Sequence, residues 1–136
     1  MKLDAAAQYG SWTGQKVERF LGEARMPLRL SFESAAGLLV VPVWFVFQAG
    51  VFWSCSPEGS VLVKSLRHKP AVAFDLSTND VPYLGVRGRG VAQCTTTEDD
   101  AALEQLLDRF VGVDSLLAKA LLARDEPEAL VQITPE

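Results

Sequence analysis

Ten consecutive residues, Leu38 to Phe47, are apolar without exception, and the rest of the chain is read around them. A strand with no polar face has to be covered on both sides. In a small barrel one side meets the interior, so the other needs a helix or a second subunit. Gln48-Ala49-Gly50 reads as a tight reversal and Val51 to Cys55 as the returning strand, which makes a hairpin.

Upstream, Val17, Phe20, Leu21 and Ala24 recur at i, i+3, i+4 and i+7, predicting a helix over Gln15 to Ala24 that Pro27 closes. Leu28, Leu30 and Phe32 then alternate with polar neighbours, the mark of a half-buried strand. Downstream, Ser56 to Ser60 is a loop by composition, and Val61 to Lys69 is one or two helical turns stopped by Pro70. Ala71 to Leu76 is a strand, Ser77 to Asp80 a turn, and Pro82 to about Thr95 a long strand.

Thr97 and Asp100 have the form of a capping box, followed by a helical face of Leu103, Leu106, Leu107 and Phe110. A second helix, Ser115 to Arg124, shows Leu116, Leu117, Ala120 and Leu121, and Glu128 to Thr134 reads as a last strand. Short strands with few long crossovers predict a mainly β (α+β) fold. The expectation is a six-stranded antiparallel barrel with flanking helices.

Composition narrows the class. At 136 residues, 49% of them apolar, the chain is expected to fold as a single domain, residues 1–136. Net charge is −4 and the 13 Lys and Arg residues are scattered, so no basic footprint for nucleic acid is present. The longest apolar run, Ala35 to Phe47, is 13 residues and falls short of the roughly 20 that span a bilayer. Residues 1–12 contain no apolar stretch of signal-peptide type, and a cytoplasmic protein away from membranes is expected. Cys55 and Cys94 are then expected as buried thiols rather than a disulfide. With no CxxC and no Cys/His ligand spacing, a metal site is not expected.

Four candidate sites each have a bland reading beside the functional one. His68, the single histidine, lies in Arg67-His68-Lys69 with no GxSxG elbow to serve, and reads as solvated. Gly85-Val86-Arg87-Gly88-Arg89-Gly90 is neither GxGxxG nor a P-loop. In a strand Gly88 and Gly90 share one face with Val86, while Arg87 and Arg89 share the other. Such glycines signal close backbone approach, a bulge or a ligand. Trp44, Phe45, Phe47, Phe52 and Trp53 fill a barrel core or wall a flat ring. Ser54, Ser56 and Ser60, with Gly59 and Lys64, are either a loop with a helix cap or a cradle for a terminal phosphate.

These residues also carry a likeness. A Pro-x-Trp-Phe strand (Pro42 to Phe45) leads through a hairpin to an aromatic strand ending in small hydroxyl residues. A Gly-Ser loop (Gly59-Ser60), Leu-Arg-x-x-Pro (Leu66 to Pro70) and Val-Arg-Gly-x-Gly (Val86 to Gly90) follow in order. Over roughly residues 15 to 100 this order resembles the pyridoxamine 5′-phosphate oxidase-like flavin-binding split-barrel superfamily. The resemblance implies a homodimer that holds FMN at the subunit interface. It implies Pro42, Val43 and Trp44 along the isoalloxazine ring, with Ser54, Ser56 and Ser60 near the ribityl phosphate. The sequence departs from the family where a basic pair usually follows the Gly-Ser loop: Val61 and Leu62 stand there, and Lys64 and Arg67 are the nearest cations.

The functional expectation is thus an FMN-dependent oxidoreductase, a flavoprotein acting on a small-molecule substrate not identified by sequence. A deazaflavin-dependent reductase, a non-enzymatic flavin or haem binder, and a ligand-free dimerising barrel are the alternatives. No catalytic acid or base is assigned, and Arg87 or Arg89 is the candidate for an anionic part of cofactor or substrate.

Overall fold

The computed structural model describes residues 10–97 and 99–136, so most of the N-terminal segment judged free of a leader lies outside it. Helix α1 (Gly14–Glu23) starts where the Thr13 hydroxyl accepts the Lys16 N–H at 3.2 Å. Strands β1 (Leu28–Ser34), β2 (Gly37–Val43), β3 (Val46–Gln48) and β4 (Val51–Pro57) follow. After them come α2 (Val61–His68), β5 (Ala71–Ser77), β6 (Gly85–Thr96), α3 (Ala101–Phe110), α4 (Leu116–Leu122) and β7 (Glu128–Pro135).

All seven strands form one antiparallel sheet in the order β2-β1-β5-β6-β7-β4-β3. The expected count of six was one short, because the apolar run Leu38 to Phe47 is two strands broken at Trp44-Phe45. This break shapes the molecule. β2 and β3 lie at opposite ends of the strand order, yet Val43 and Val46 are three peptide steps apart. At 3.8 Å per step they are separated by at most about 11 Å. The sheet must therefore curl until its two edges nearly meet, a barrel left split along one seam.

The barrel interior takes the alternate residues Leu28, Leu30 and Phe32 of β1, Val72, Phe74 and Leu76 of β5, and Val131 and Ile133 of β7. Leu62, Val63 and Leu66 of α2 close it on one side. Phe45, fully buried in the break, meets Phe52 edge-on at 5.7 Å. Each such side chain contributes about 1.5–3 kcal/mol by leaving water.

Arg109 of α3 ties the helices together. Its Nη2 donates to the Leu21 and Ala24 carbonyls at the end of α1, both at 2.9 Å, and its guanidinium lies 4.8 Å over the Phe45 ring. Burial, and then the nearby Arg25 charge, hold the Arg109 pKa below the usual arginine value.

Three local expectations need correction. Thr97 caps no helix: its hydroxyl donates to the Glu128 carbonyl at 3.0 Å, which fastens β6 to β7. α3 begins instead after Asp100, whose side chain makes no cap bond, while Asp99 Oδ1 accepts the Ala101 N–H at 3.1 Å. On α4 the buried residue is Ala118, and Leu116 is 86% exposed, because so short a helix is oriented by its neighbours rather than by its own stripe. Lastly, β6 starts at Gly85 rather than Pro82, since the Thr78 N–H donates to the Leu84 carbonyl while its hydroxyl accepts the Leu84 N–H, which keeps residues 78–84 as a loop.

Candidate functional site

On β2, Leu39, Val41 and Val43 pair with the core residues Phe32, Leu30 and Leu28 of β1. The outward row is then Leu38, Val40 and Pro42, with Leu38 78% and Val40 66% exposed. Among the described residues nothing pairs with the outer edge of β2. An apolar strand with one bare face and one bare edge is what the unbroken apolar run requires of a surface made to be covered. Trp44, next along the chain, packs against α3 beside Phe110 and shares a small cluster with Leu103, Leu107, Ala118 and Cys55. Of the three residues expected along a flavin ring, Pro42 is exposed, Val43 faces the core and Trp44 is already packed.

Between α3 and the outer face of β3, β4 and β7 lies a cleft of about 190 Å³, open to solvent and lined by Val46, Gln48, Trp53, Cys55, Gln105 and Leu106. Burial, reinforced by the Glu128 and Asp100 charges, pushes the Cys55 thiol up to about 12. It is therefore neutral at physiological pH and no nucleophile. Cys94 faces the interior from β6, opposite Val131, while Cys55 faces outward opposite Leu130, so the two thiols lie on opposite faces of the sheet and are free.

The serine cluster is brought together only in part. Ser56 and Ser60 share a hydrogen bond, Oγ to Oγ, at 2.9 Å, and Ser60 Oγ accepts the Val63 N–H at 3.1 Å as the N-cap of α2. Ser54 is buried in the inward row of β4 with Phe52 and Ser56. Lys64 is exposed one turn along α2 and forms no ion pair among the described residues. Val61 is exposed, whereas Leu62 is part of the core, so the position of the family's basic pair has been given partly to packing.

Two acids surround this loop, and sequence reasoning missed both. The Gly59 N–H donates to Glu126 Oε1 at 2.8 Å. Arg67 is ion-paired with Glu58, which also accepts from the Thr96 hydroxyl at 3.1 Å. The Arg67 hydrogen bond, then that of Thr96, hold the Glu58 carboxyl below the usual range against its partial desolvation. Arg67 is thus not a spare cation for a ligand. His68 is exposed at the end of α2, as expected.

Arg87 and Arg89 project outward from β6, as the alternation predicts. Asp75 stands in register between Arg87 and Arg29. The glycines opposite them are explained by packing. A Cβ on Gly90 would lie 2.6 Å from the Thr134 carbonyl oxygen, and one on Gly88 would lie 2.8 Å from the Phe74 ring. The functional alternative, a ligand against these glycines, is not needed.

An antiparallel sheet curled into a barrel with one open seam, with α2 across its interior, defines the split-barrel class. No protein-family model matches the sequence, and no curated protein matches it. Solved structures do match, and they share this fold, that of pyridoxamine 5′-phosphate oxidase-like split barrels. One is named an F420 reductase, at 22% identity and TM-score 0.66, with 85% of this chain and 90% of that chain covered. A proposed pyridoxamine 5′-phosphate oxidase from Listeria innocua matches at 14% identity and TM-score 0.66, over 90% of this chain and 92% of the other. The haem storage protein HutZ from Vibrio cholerae matches at 16% identity and TM-score 0.65, over 90% and 89%. At these identities the likeness establishes the fold. Among the described residues no helix is long and apolar enough to cross a membrane, and no group of His, Cys, Asp and Glu could hold a metal ion.

FMN has a ring end and a phosphate end, and the residues answer them differently. At the ring end one of the three expected residues is available: Pro42 lies exposed on a bare apolar edge strand, while Val43 and Trp44 are packed. The phosphate end does not fit as the loop stands, because the Gly59 N–H is held by a carboxylate and the nearest arginine by another.

Proposed function

We propose that this chain is a homodimeric split-barrel oxidoreductase that takes a flavin-type coenzyme, FMN or a deazaflavin, where β2 meets a second subunit. The observation that carries this reading is the outward row Leu38, Val40 and Pro42, apolar and exposed on the edge strand. Covering it with the same strand of a second copy would satisfy the apolar run and enclose a flat ring at the seam. Such a coenzyme supplies hydride chemistry when bound. The chain's own part would be to orient it: Pro42 along the ring, and the unpaired edge of β2 offering backbone groups to its polar rim. Arg87 or Arg89 would meet an anionic part of the coenzyme or a small-molecule substrate. A cytoplasmic location belongs to the same reading.

The experiment is a visible spectrum of the purified protein with and without added FMN or deazaflavin, followed by NADPH. Uptake of yellow coenzyme that NADPH bleaches supports the reading, and a colourless protein that takes up neither sinks it. Size-exclusion chromatography tests the dimer, and Val40→Asp should turn a dimer into a monomer. A strict wild-type monomer contradicts the interface site. One observation favours a second reading, a dimerising barrel without a coenzyme: the loop suited to a phosphate is filled by the chain's own acids.

A further inference from the structure

We infer that Glu126 is a specificity-determining residue that excludes a phosphate from the Gly59-Ser60 loop, so that the site favours a ring ligand with an uncharged tail. The inference deepens the coenzyme reading above and rests on it for the identity of the ring.

Glu126 lies between α4 and β7, 67 residues from Gly59 in the chain, yet its Oε1 accepts the Gly59 N–H at 2.8 Å. It stands where the backbone turns into α2, with Ser60 one residue on and already committed as the N-cap. The N-terminal end of a helix favours negative charge, and here the chain supplies that charge itself. A second anion would have to displace the carboxylate or sit beside it. Arg67 offers no compensation, being paired with Glu58, and Leu62 is buried in the core. Glu128, two residues on, is buried with a raised pKa, chiefly from desolvation. It provides no cation either. What remains is Lys64, exposed one turn into the helix.

A Cβ at Gly59 would meet Glu126 Oε1 at 2.6 Å, so the carboxylate occupies the space that a side chain at position 59 would need. A phosphate that has to open this contact binds with an apparent affinity lowered by the fraction of time the contact is open.

The test compares FMN with riboflavin, which differ only by the phosphate, on wild-type protein, Glu126→Ala and Glu126→Gln. Wild type is expected to bind the two about equally. Glu126→Ala should raise the FMN-to-riboflavin affinity ratio by about tenfold. Glu126→Gln, which keeps an acceptor and loses the charge, should raise it less. A wild-type preference for FMN of tenfold or more, or an unchanged ratio in Glu126→Ala, overturns the inference. A second arm needs no flavin: inorganic phosphate is titrated while the amide resonances of Gly59 and Ser60 are followed by NMR. Both should shift in Glu126→Ala and stay still in wild type; equal responses, or none in the variant, overturn the inference. If neither flavin binds any of the proteins, the FMN form of the coenzyme reading fails and this second arm still decides the role of Glu126.

Discussion

Trp44 and Phe110 stack with ring centroids 5.7 Å apart and planes 8° from parallel. Phe110 also leans on Phe45 at 6.0 Å, so one residue of α3 holds both aromatics of the break between β2 and β3. Phe110→Ala is expected to destabilise the fold by about 2–3 kcal/mol. It should also expose Trp44, shifting the tryptophan emission to the red. Urea denaturation followed by fluorescence measures both. A neutral substitution would mean that the break is held by something other than this stack.

Gly90 and Gly88 share a face of β6 but differ in what would meet a methyl group. At Gly90 it is the backbone carbonyl of Thr134, at Gly88 the ring of Phe74. A ring can swing aside more readily than a strand can move. Gly90→Ala is expected to cost about 1–3 kcal/mol and Gly88→Ala distinctly less. Thermal unfolding of the two variants side by side reads the difference, and the reverse order would contradict the packing account.

Glu128 is buried, with its nearest cation, Arg124, 3.9 Å away. Burial raises its carboxyl pKa, Arg124 works against the rise, and Glu126 and Asp100 add to it. A carboxyl raised in the folded state gives stability that is present below the unfolded pKa and lost as pH rises through the folded one. Glu128→Gln should therefore melt higher than wild type at pH 7, with the gap narrowing toward pH 4. A gap that stays constant across that range would assign the effect to packing instead.

Ala49 and Gly50 turn the β3–β4 hairpin with φ of 53° and 79°. Two positive values are the mark of a type I′ turn, which favours Asn-Gly over Ala-Gly. Ala49→Asn is expected to stabilise the protein by about 0.5–1 kcal/mol. Denaturant midpoints would show it, and a loss of stability would place the turn in another class.

Much of the fold was legible because period and punctuation agree. Leu28, Leu30 and Phe32 alternate and form a strand; Pro70 stops α2 and starts β5. The apolar run Leu38 to Phe47 gave away its bare outer row but not its break, since Trp44 and Phe45 are as apolar as their neighbours. On α4, Leu116 and Leu117 suggested a buried face, yet tertiary contacts chose Ala118. The candidate site was half legible. The pairing of Ser56 with Ser60 follows from a local i, i+4 spacing. The acids that meet the same loop do not, because Glu126 reaches Gly59 only through the closure of β7 beside β4. No local pattern encodes a contact of that range.

The position of β7 has a consequence for how the protein is made. It is the last of the seven strands to leave the ribosome, yet it sits between β6 and β4 near the middle of the sheet. Until it arrives, the earlier strands form two separate ribbons, each ending in an open row of backbone donors and acceptors. Such edges invite pairing with other chains. The nascent protein thus stays adhesive until Glu128–Pro135 is in place. A chaperone that shields the edges of β4 and β6 would be most useful in that interval, and a truncation before Glu128 would prolong it indefinitely.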